Sequence, residues 1–258
     1  MTTRWDPGQY ERYRDERARP FFDLVDRLRE DAGAVGTVAD LGAGTCALTL
    51  ALLERWPHAR VWAVESSQQM LDQAGAVPGR LELVCDDLRR WEPPEPLDRI
   101  VSNAALQWVP DHEGLLARLV GWLAPGGVLA VQVPNNRAEA VYRHLDQLSG
   151  EPAWSDRLTD LPVPRIEPVG WYHQRLTSLG LEVELWETIY YHRVPGVDGV
   201  IEWLEGTTLR PILSRLDGQE AAAFLDELRR RAAPAYPGDA CLFPFRRLFF
   251  VGKAAGNR

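Results

Sequence analysis

The stretch AVGTVADLGAGTCALTLALLERW, residues 34–56, decides the fold. Its first seven residues, 34–40, are mostly apolar and end in Asp40, which is typical of a buried strand. Gly42 and Gly44 then allow a tight turn, and apolar residues at helical spacing follow. The segment therefore predicts a strand, a turn and a helix, the repeating unit of a parallel α/β sheet.

The same alternation continues along the first half of the chain. Further strands are predicted at 60–66, 81–87, 97–103 and 128–134, and helices at 67–74 and 112–123. Strands that alternate with helices favour a doubly wound, Rossmann-like, mostly parallel sheet with helices on both faces.

After residue 150 the pattern changes. A Pro-rich loop at 150–168 precedes a helix ending at Gly180, a strand at 181–194, two helices within 198–232 separated near 216–218, and a last strand at 246–254. We therefore predict one α/β domain, 1–258, with about seven strands. Residues 195–235 would form a helical cap insertion over the sheet.

Composition excludes several classes of protein. The 258 residues carry 29 basic and 37 acidic side chains, a formal charge of -8, which disfavours nucleic acid and anionic membranes as partners. The three cysteines are far apart, the histidines show no metal-ligand spacing, and no apolar window is long enough to span a membrane. We expect a cytoplasmic monomer without a metal site.

The glycine turn by itself is ambiguous. Residues 42–47 also satisfy the G-x-G-x-x-A dinucleotide fingerprint, with Glu65 about twenty residues further on. A nicotinamide dehydrogenase and a plain tight turn are therefore alternatives. Asp40 argues against a dinucleotide, because a carboxylate at this turn repels a pyrophosphate. It would instead attract a ligand that carries an ammonium group.

Acidic residues end three successive predicted strands: Asp40, Glu65 and Asp87. S-adenosylmethionine carries an ammonium group, a ribose diol and an adenine amine, so it needs acidic groups spread along several strand ends. Asp40 would hold the ammonium group, with Gly42 and Gly44 allowing close approach of the backbone. The alternative is that each carboxylate is an ordinary solvated charge.

Two further cofactor contacts follow from the same placement. Glu65, next to Ser66, would bind the ribose hydroxyls, and Asp87 would bind the adenine amine beside the Leu88 backbone. Asp86 is the competing residue for Asp87. Strand alternation would point the two side chains to opposite faces, so that only one reaches the adenine.

Two sets of motifs resemble a known family. The segments VADLGAGT, VWAVES, CDDL and APGG are similar to those of class I S-adenosylmethionine-dependent methyltransferases. Within that class, the chain resembles the trans-aconitate 2-methyltransferases over nearly its whole length. The segments that carry this resemblance are WDPGQYERYRDERARP, VSNAALQWVPDH, VLAVQVPNN, TIYYH, WLEGTTLRP and PFRRLFFVG. The resemblance implies an antiparallel last strand and methyl transfer from S-adenosylmethionine to one carboxylate of trans-aconitate, giving a monomethyl ester.

A carboxylate acceptor places few demands on catalytic side chains. With a pKa of about 4 to 5 it is already ionised near neutral pH, so no general base is required. Orientation of oxygen, methyl carbon and sulfur can contribute about 7 to 11 kcal/mol. Catalysis is therefore expected to depend on positioning, for which Gln107 and Trp108 are candidates beside the transferring methyl group, with Asn103 near the methionine portion. Alternatively, Trp108 only packs against the next helix.

The trianionic substrate requires local cations. Arg210 is the first candidate, with Tyr190, Tyr191 and His192 as donors, and Arg247 (or its neighbour Arg246) is the second. The alternatives are solvated surface arginines and strand residues that pack in a core.

The N-terminal region 1–30 has aromatic residues ahead of Pro20, which would open a helix over 19–30. This region would fold as a lid, with Arg17 or Arg19 near the methionine carboxylate. A plain amphipathic helix packed on the sheet is the alternative.

Three other functions are weighed. They are a methyltransferase acting on another small carboxylic acid or small molecule, a nicotinamide-dependent dehydrogenase, and a non-catalytic cofactor-binding protein. The dehydrogenase lacks a Tyr-x-x-x-Lys motif, and the single lysine, Lys253, lies near the chain end.

Overall fold

The computed structural model describes residues 14–28, 35–75, 77–161 and 164–256. Seven strands lie within them: β1 (Thr37–Leu41), β2 (Arg60–Glu65), β3 (Leu81–Cys85), β4 (Leu97–Asn103), β5 (Leu123–Pro134), β6 (Glu182–Val194) and β7 (Cys241–Lys253). They form one mixed sheet in the order β3-β2-β1-β4-β5-β7-β6. The predicted Rossmann-like α/β class is confirmed.

Ten α-helices are found in the described part of the chain: α1 (Arg14–Asp26), α2 (Thr49–Arg55), α3 (Gln68–Leu71), α4 (His112–Gly121), α5 (Ala140–Ser149), α6 (Ser155–Leu158), α7 (Val169–Ser178), α8 (Gly196–Glu205), α9 (Arg210–Leu213) and α10 (Gly218–Ala232). Two short 3-10 helices, Leu106–Trp108 and Ala233–Ala235, accompany them. Among these helices none has both the length and the apolar character needed to cross a bilayer.

The first five strands are parallel. β1 pairs with β2 and β4, β2 with β3, and β4 with β5. Asp40 lies opposite Ala63 and Val101, and Glu65 lies opposite Cys85. Because parallel strands end at the same edge, this register brings together the polar residues at the carboxyl ends of β1, β2 and β4.

The last strand is antiparallel to β5. The Ala254 N–H donates to the Gly127 carbonyl at 2.9 Å, and the Asn135 N–H donates to the Arg246 carbonyl at 2.9 Å. Residue numbers therefore rise along one strand as they fall along the other. This confirms the orientation that the family resemblance implied.

The contacts divide the chain into two compact units. Among the described residues, the sheet unit comprises 17–28, 35–75, 77–134, 165–188 and 248–256, and the helical unit comprises 14–16, 135–161, 164 and 189–247. Buried apolar residues of the sheet unit include Trp62, Ile100, Leu129 and Phe250. In the helical unit α10 packs against α5 and α8. The helices of the predicted cap, 195–235, all belong to the helical unit.

Helix α1 differs from its prediction. It begins at Arg14 and contains Pro20 in its interior, whereas Pro20 was expected to open the helix. An interior proline costs about 3 kcal/mol because it removes one backbone hydrogen bond. Phe21 and Leu24 are fully buried, and their burial offsets this cost.

The predicted pair of helices in 198–232 is divided into three. A turn over 206–209 separates α8 from the short α9, and Asp217 then begins α10. Asp217 accepts hydrogen bonds from the Gln219 and Glu220 amides, and Glu220 accepts the Asp217 amide, which forms a capping box. The break predicted near 216–218 is therefore confirmed by its local chemistry.

Candidate functional site

The loop after β1 has a left-handed backbone at several positions. Gly42 has φ 79°, Gly44 has φ 59° and Cys46 has φ 60°. A Cβ atom on Gly42 would lie 2.2 Å from the Ala105 Cβ atom, so only glycine fits there. Helix α2 begins at Thr49, although the sequence predicted helix directly after the glycines, because these backbone conformations delay the first helical turn.

Asp40 is a buried carboxylate at this loop. Its side chain is 4% exposed and accepts a hydrogen bond from the Thr49 hydroxyl at 2.6 Å. Burial raises the pKa of Asp40 to about 6; the Thr49 hydrogen bond lowers it and the negative charge of Glu65 raises it. Such a carboxylate is poorly solvated, so it gains strongly from a cationic ligand.

Glu65, at the end of β2, joins the neighbouring loops. Its carboxylate accepts hydrogen bonds from the Gly44 amide at 3.1 Å, the Ser67 amide at 2.9 Å and the Ser66 hydroxyl at 3.2 Å. Two carboxylate oxygens accept about four hydrogen bonds in total. Glu65 therefore holds the loop conformation and keeps capacity for a hydroxyl group of a ligand.

Asp87 is paired within the chain. Arg89 donates to its two carboxylate oxygens at 2.9 Å and 2.5 Å, and these hydrogen bonds lower the pKa of Asp87 to about 2. Asp86 accepts the Asp87 amide at 2.7 Å. β3 ends at Cys85, so the prediction that strand alternation separates Asp86 from Asp87 is wrong, because both residues lie beyond the strand.

Beside the glycine loop, two amide side chains keep buried oxygens without a hydrogen bond. Asn103 ends β4, and its Oδ1 atom has no partner among the described residues. Gln107 donates from Nε2 to the Ala104 carbonyl at 2.6 Å, while its Oε1 atom has none. Trp108 is 38% exposed. A buried polar atom left unpaired costs about 1–3 kcal/mol, which indicates a place for a polar ligand or water.

Sequence reasoning missed Gln132. It lies opposite Asn103 in the β4–β5 register, is 1% exposed, and neither of its side-chain polar atoms has a hydrogen-bond partner in the described ranges. Directly opposite residues on neighbouring strands lie on the same face of a sheet. The available signal was one glutamine within the otherwise apolar strand segment 128–133.

A buried network supports the 3-10 helix that carries Gln107. The His112 ring bonds to the Leu106 carbonyl through Nε2 at 2.8 Å and to the Tyr172 hydroxyl through Nδ1 at 2.6 Å. The Tyr172 hydroxyl also accepts the Glu167 amide at 3.1 Å. His112 is therefore a core histidine that positions this segment.

In the helical unit, most of the predicted substrate residues are packed. Tyr190 is buried, and His192 stacks on Trp203 with ring centroids 4.6 Å apart. Tyr191 is 62% exposed. Tyr190 and His192 therefore match the alternative that these strand residues pack in a core.

The two predicted arginines differ in environment. Arg210 is the partly exposed first residue of α9. Arg247 is 7% exposed, and its guanidinium carbon lies 4.3 Å from the centroid of the Phe245 ring. The alternative of a solvated surface charge is therefore wrong for Arg247.

Comparison with known proteins decides the family. The model of the family described as "Methyltransferase domain" matches residues 38–127. A trans-aconitate 2-methyltransferase of Streptomyces avermitilis is 42% identical over 257 residues, covering 96% of each chain. Another, of an Azoarcus species, is 40% identical over 251 residues, covering 96% of this chain and 98% of the relative. The chain belongs to the trans-aconitate 2-methyltransferase family.

Solved structures share the fold. The YcgJ protein of Bacillus subtilis has a TM-score of 0.60 at 14% identity, covering 93% of this chain and all of that one. A phosphoethanolamine N-methyltransferase of Haemonchus contortus in complex with S-adenosylhomocysteine has a TM-score of 0.58 at 14% identity, covering 92% of this chain and 52% of the other. At these identities the likeness concerns the fold alone.

As a member of the trans-aconitate 2-methyltransferase family, the chain is an S-adenosylmethionine-dependent methyltransferase. The dehydrogenase and the non-catalytic alternatives are therefore wrong. The residues present fit this cofactor, because buried Asp40 offers an anion to its ammonium group and the Asn103 oxygen is unpaired.

Much of the structure predicted for the N-terminal region lies outside the described residues. Residues 1–13, 29 and 30 of the predicted lid, 1–30, are outside the described residues. Arg17 lies in helix α1, but its side chain is also outside the described part. Arg19 is exposed. The lid and a contact from Arg17 stay predictions.

Proposed function

We propose that this chain transfers the methyl group of S-adenosylmethionine to one carboxylate of trans-aconitate, giving a monomethyl ester and S-adenosylhomocysteine. The observation that carries the proposal is the 42% identity to a trans-aconitate 2-methyltransferase over 96% of both chains. This similarity extends through both the cofactor end of the sheet and the segments of the helical unit.

The reaction balances without a proton donor or acceptor. When bound, S-adenosylmethionine supplies an electrophilic methyl group on a cationic sulfur. A carboxylate lone pair forms the new O–C bond, and the C–S electrons return to sulfur as a neutral thioether. The acid is already ionised near neutral pH, so the chain's residues serve to bind, orient and desolvate.

The cofactor contacts are proposed residue by residue. Asp40 holds the ammonium group, and Gly42 and Gly44 allow the backbone to approach. Glu65, with Ser66, binds the ribose diol.

The remaining cofactor contacts lie in the loop after β3 and at the end of β4. Asp87 binds the adenine amine beside the Leu88 backbone, exchanging part of its pairing with Arg89. Asn103 binds the methionine portion through its unpaired Oδ1 atom. Gln132 lies opposite Asn103 on the same face of the sheet, and its side chain contributes to the same binding position.

Positioning and acid binding use a second set of side chains. Gln107 and Trp108 border the transferring methyl group, since an aromatic face tolerates a sulfonium. Arg210 and Arg247 supply positive charge for the acid, because planar guanidinium groups pair with carboxylates. Exposed Tyr191 remains available as a donor, while Tyr190 is buried and His192 packs on Trp203.

The decisive experiment is an ester assay. Purified protein is incubated with labelled S-adenosylmethionine and each of a panel of di- and tricarboxylic acids, and the products are identified by mass. We expect a monomethyl ester from trans-aconitate with the highest kcat/KM of the panel. Turnover of another acid with no ester from trans-aconitate would instead assign the activity to a different small acid.

Cofactor affinity should depend on pH in the mildly acidic range. The pKa of Asp40 is raised to about 6, and the carboxylate is the form that binds the ammonium group. Affinity should therefore be highest near pH 7 and fall as pH drops through 6, by about tenfold per unit well below it; above about pH 7.5 it should also fall as the ligand's own ammonium group loses its proton. Calorimetry at about pH 5 to 8 measures this, and a flat wild-type profile would contradict the role of Asp40.

The setting of the enzyme completes the proposal. The acceptor is a small molecule, and the net charge of -8 argues against nucleic acid or anionic membrane as a partner. We expect a cytoplasmic protein that is a monomer, and light scattering of the purified protein would test the oligomeric state.

A further inference from the structure

A cluster of buried polar side chains in the helical unit surrounds Arg247, and apart from Arg247 its members have no role in the assignments above. It consists of Asn136, Tyr142 and Arg247 with the hydroxyl of Thr208, and is called the Tyr142 cluster here. Asn136 is 3% exposed, and Tyr142 and Arg247 are each 7% exposed. Thr208 is partly exposed, so the cluster has an edge at the surface.

Asn136 presents an unused donor. Its Oδ1 atom accepts the Arg246 amide at 2.6 Å, which defines the orientation of the side-chain amide. Its Nδ2 atom is buried and faces the Tyr142 hydroxyl, whose pKa it lowers, but the two atoms lack the geometry of a normal hydrogen bond, and Nδ2 has no other acceptor among the described residues. A buried donor without an acceptor is unfavourable, and an anionic ligand would satisfy it.

Two positively charged side chains, Arg247 and Arg137, act on the Tyr142 hydroxyl. Burial raises the pKa of Tyr142, whereas the Thr208 hydroxyl, the positive charge of Arg247, Asn136 and the charge of Arg137 lower it. Within the described part of the chain, none of the groups that shift this pKa is a carboxylate. Hydroxyl, amide and guanidinium donors thus meet in one buried place, which is the donor set that recognises a planar anion.

The geometry points to a carboxylate site. Tyr142 donates its hydroxyl, Asn136 donates Nδ2 and Arg247 supplies the charge to one carboxylate group of the acceptor acid. This inference rests on the proposed function, because a di- or tricarboxylic acid is the ligand that the activity provides. It adds Tyr142 and Asn136 to the residues that determine acid specificity, and neither is a proton acceptor in the reaction.

Two substitutions test the cluster with little change in shape. Asn136→Asp keeps the oxygen that accepts the Arg246 amide and replaces the donor by a negatively charged oxygen. Tyr142→Phe removes only the hydroxyl. The control is Tyr236→Phe, since Tyr236 is also buried in the helical unit and its hydroxyl accepts the Val141 amide at 3.4 Å.

We expect KM for trans-aconitate to rise about 10-fold or more in Tyr142→Phe, because a hydrogen bond to a charged group is lost. Asn136→Asp should raise it by about 100-fold or more through repulsion. In both variants the dissociation constant of S-adenosylmethionine, measured by calorimetry, should stay within about twofold of wild type. Tyr236→Phe should leave KM unchanged.

The outcomes separate this inference from the proposed function. If wild type forms the ester and both variants behave like Tyr236→Phe, the carboxylate site is overturned while the function stands. If wild type forms no ester from trans-aconitate, binding of each acid of the panel is measured by calorimetry in the presence of S-adenosylhomocysteine. The site then stands only if wild type binds an acid that Asn136→Asp does not bind; no binding by wild type overturns it.

Discussion

Replacing Asp40 with asparagine should weaken S-adenosylmethionine binding by at least about 100-fold, which corresponds to about 2.7 kcal/mol. The carboxylate is 4% exposed, so its attraction for an ammonium group is little screened by water. Asparagine retains an oxygen that can accept the Thr49 hydroxyl but removes the charge. Titration calorimetry at about pH 7, where Asp40 is ionised and the ligand's ammonium group is protonated, measures the change.

The same substitution should stabilise the protein without cofactor. The pKa of Asp40 rises from 3.8 to about 6 on folding, so the buried charge costs about 3 kcal/mol above pH 6. This cost develops as pH rises from about 4 to 6 and is absent below that window. Because the asparagine amide adds an unpaired donor, we expect a net gain of about 1–2 kcal/mol, or a melting temperature about 2–6 °C higher at pH 8.

The control for Asp40→Asn is Asp72→Asn. Asp72 is an exposed carboxylate of the sheet unit that accepts a hydrogen bond from the Gln68 side-chain Nε2 at 2.8 Å. Its replacement should change neither cofactor affinity nor stability by a measurable amount. The assignment of Asp40 is contradicted if Asp40→Asn binds S-adenosylmethionine within about threefold of wild type.

Among single substitutions in the loop after β1, Gly42→Ala should destabilise the protein most. An added Cβ atom would meet the Ala105 Cβ atom at 2.2 Å, and φ of 79° is unfavourable for an L residue. The backbone strain costs about 1–2 kcal/mol and the overpacking about 1–3 kcal/mol. We expect a loss of about 2–5 kcal/mol in the free energy of unfolding, measured with urea, together with loss of cofactor binding.

Two other glycines separate strain from packing and from ligand contact. Gly44 has φ of 59° and only the Met70 sulfur, at 4.0 Å, near an added Cβ atom, while Gly75 has φ of 68° and open space. Both alanine variants should lose only about 1–2 kcal/mol. Gly44→Ala should also weaken cofactor binding, whereas Gly75→Ala should not. Equal stability of the Gly42 and Gly75 variants would show that Ala105 yields and that packing does not require glycine.

Local chemistry made much of the sheet unit predictable. Alternating apolar segments predicted all seven strands, and the residues Asp40, Glu65 and Asn103 lie at strand ends as expected. The capping box at Asp217 was visible as a helix break. These features depend on residues that are close together in sequence, so they can be recognised from one amino-acid sequence alone.

Other features depend on residues that are distant in sequence. Gln132 is recognisable as a site residue only because it lies opposite Asn103 in the sheet. In the sequence, helix α4 lies between the two residues. Likewise, the pairing of Asp87 with Arg89 reflects a loop conformation that strand alternation did not describe.

The sequence by itself determined the fold class, the glycine loop and the acidic strand ends, because periodicity and residue chemistry are local properties. It also determined family membership through motifs that extend along the chain. Only the tertiary structure decided which polar groups are buried. Burial raises the pKa of Asp40, removes Arg247 from solvent and leaves the Asn136 donor unpaired, since desolvation is produced by segments that meet only in the folded protein.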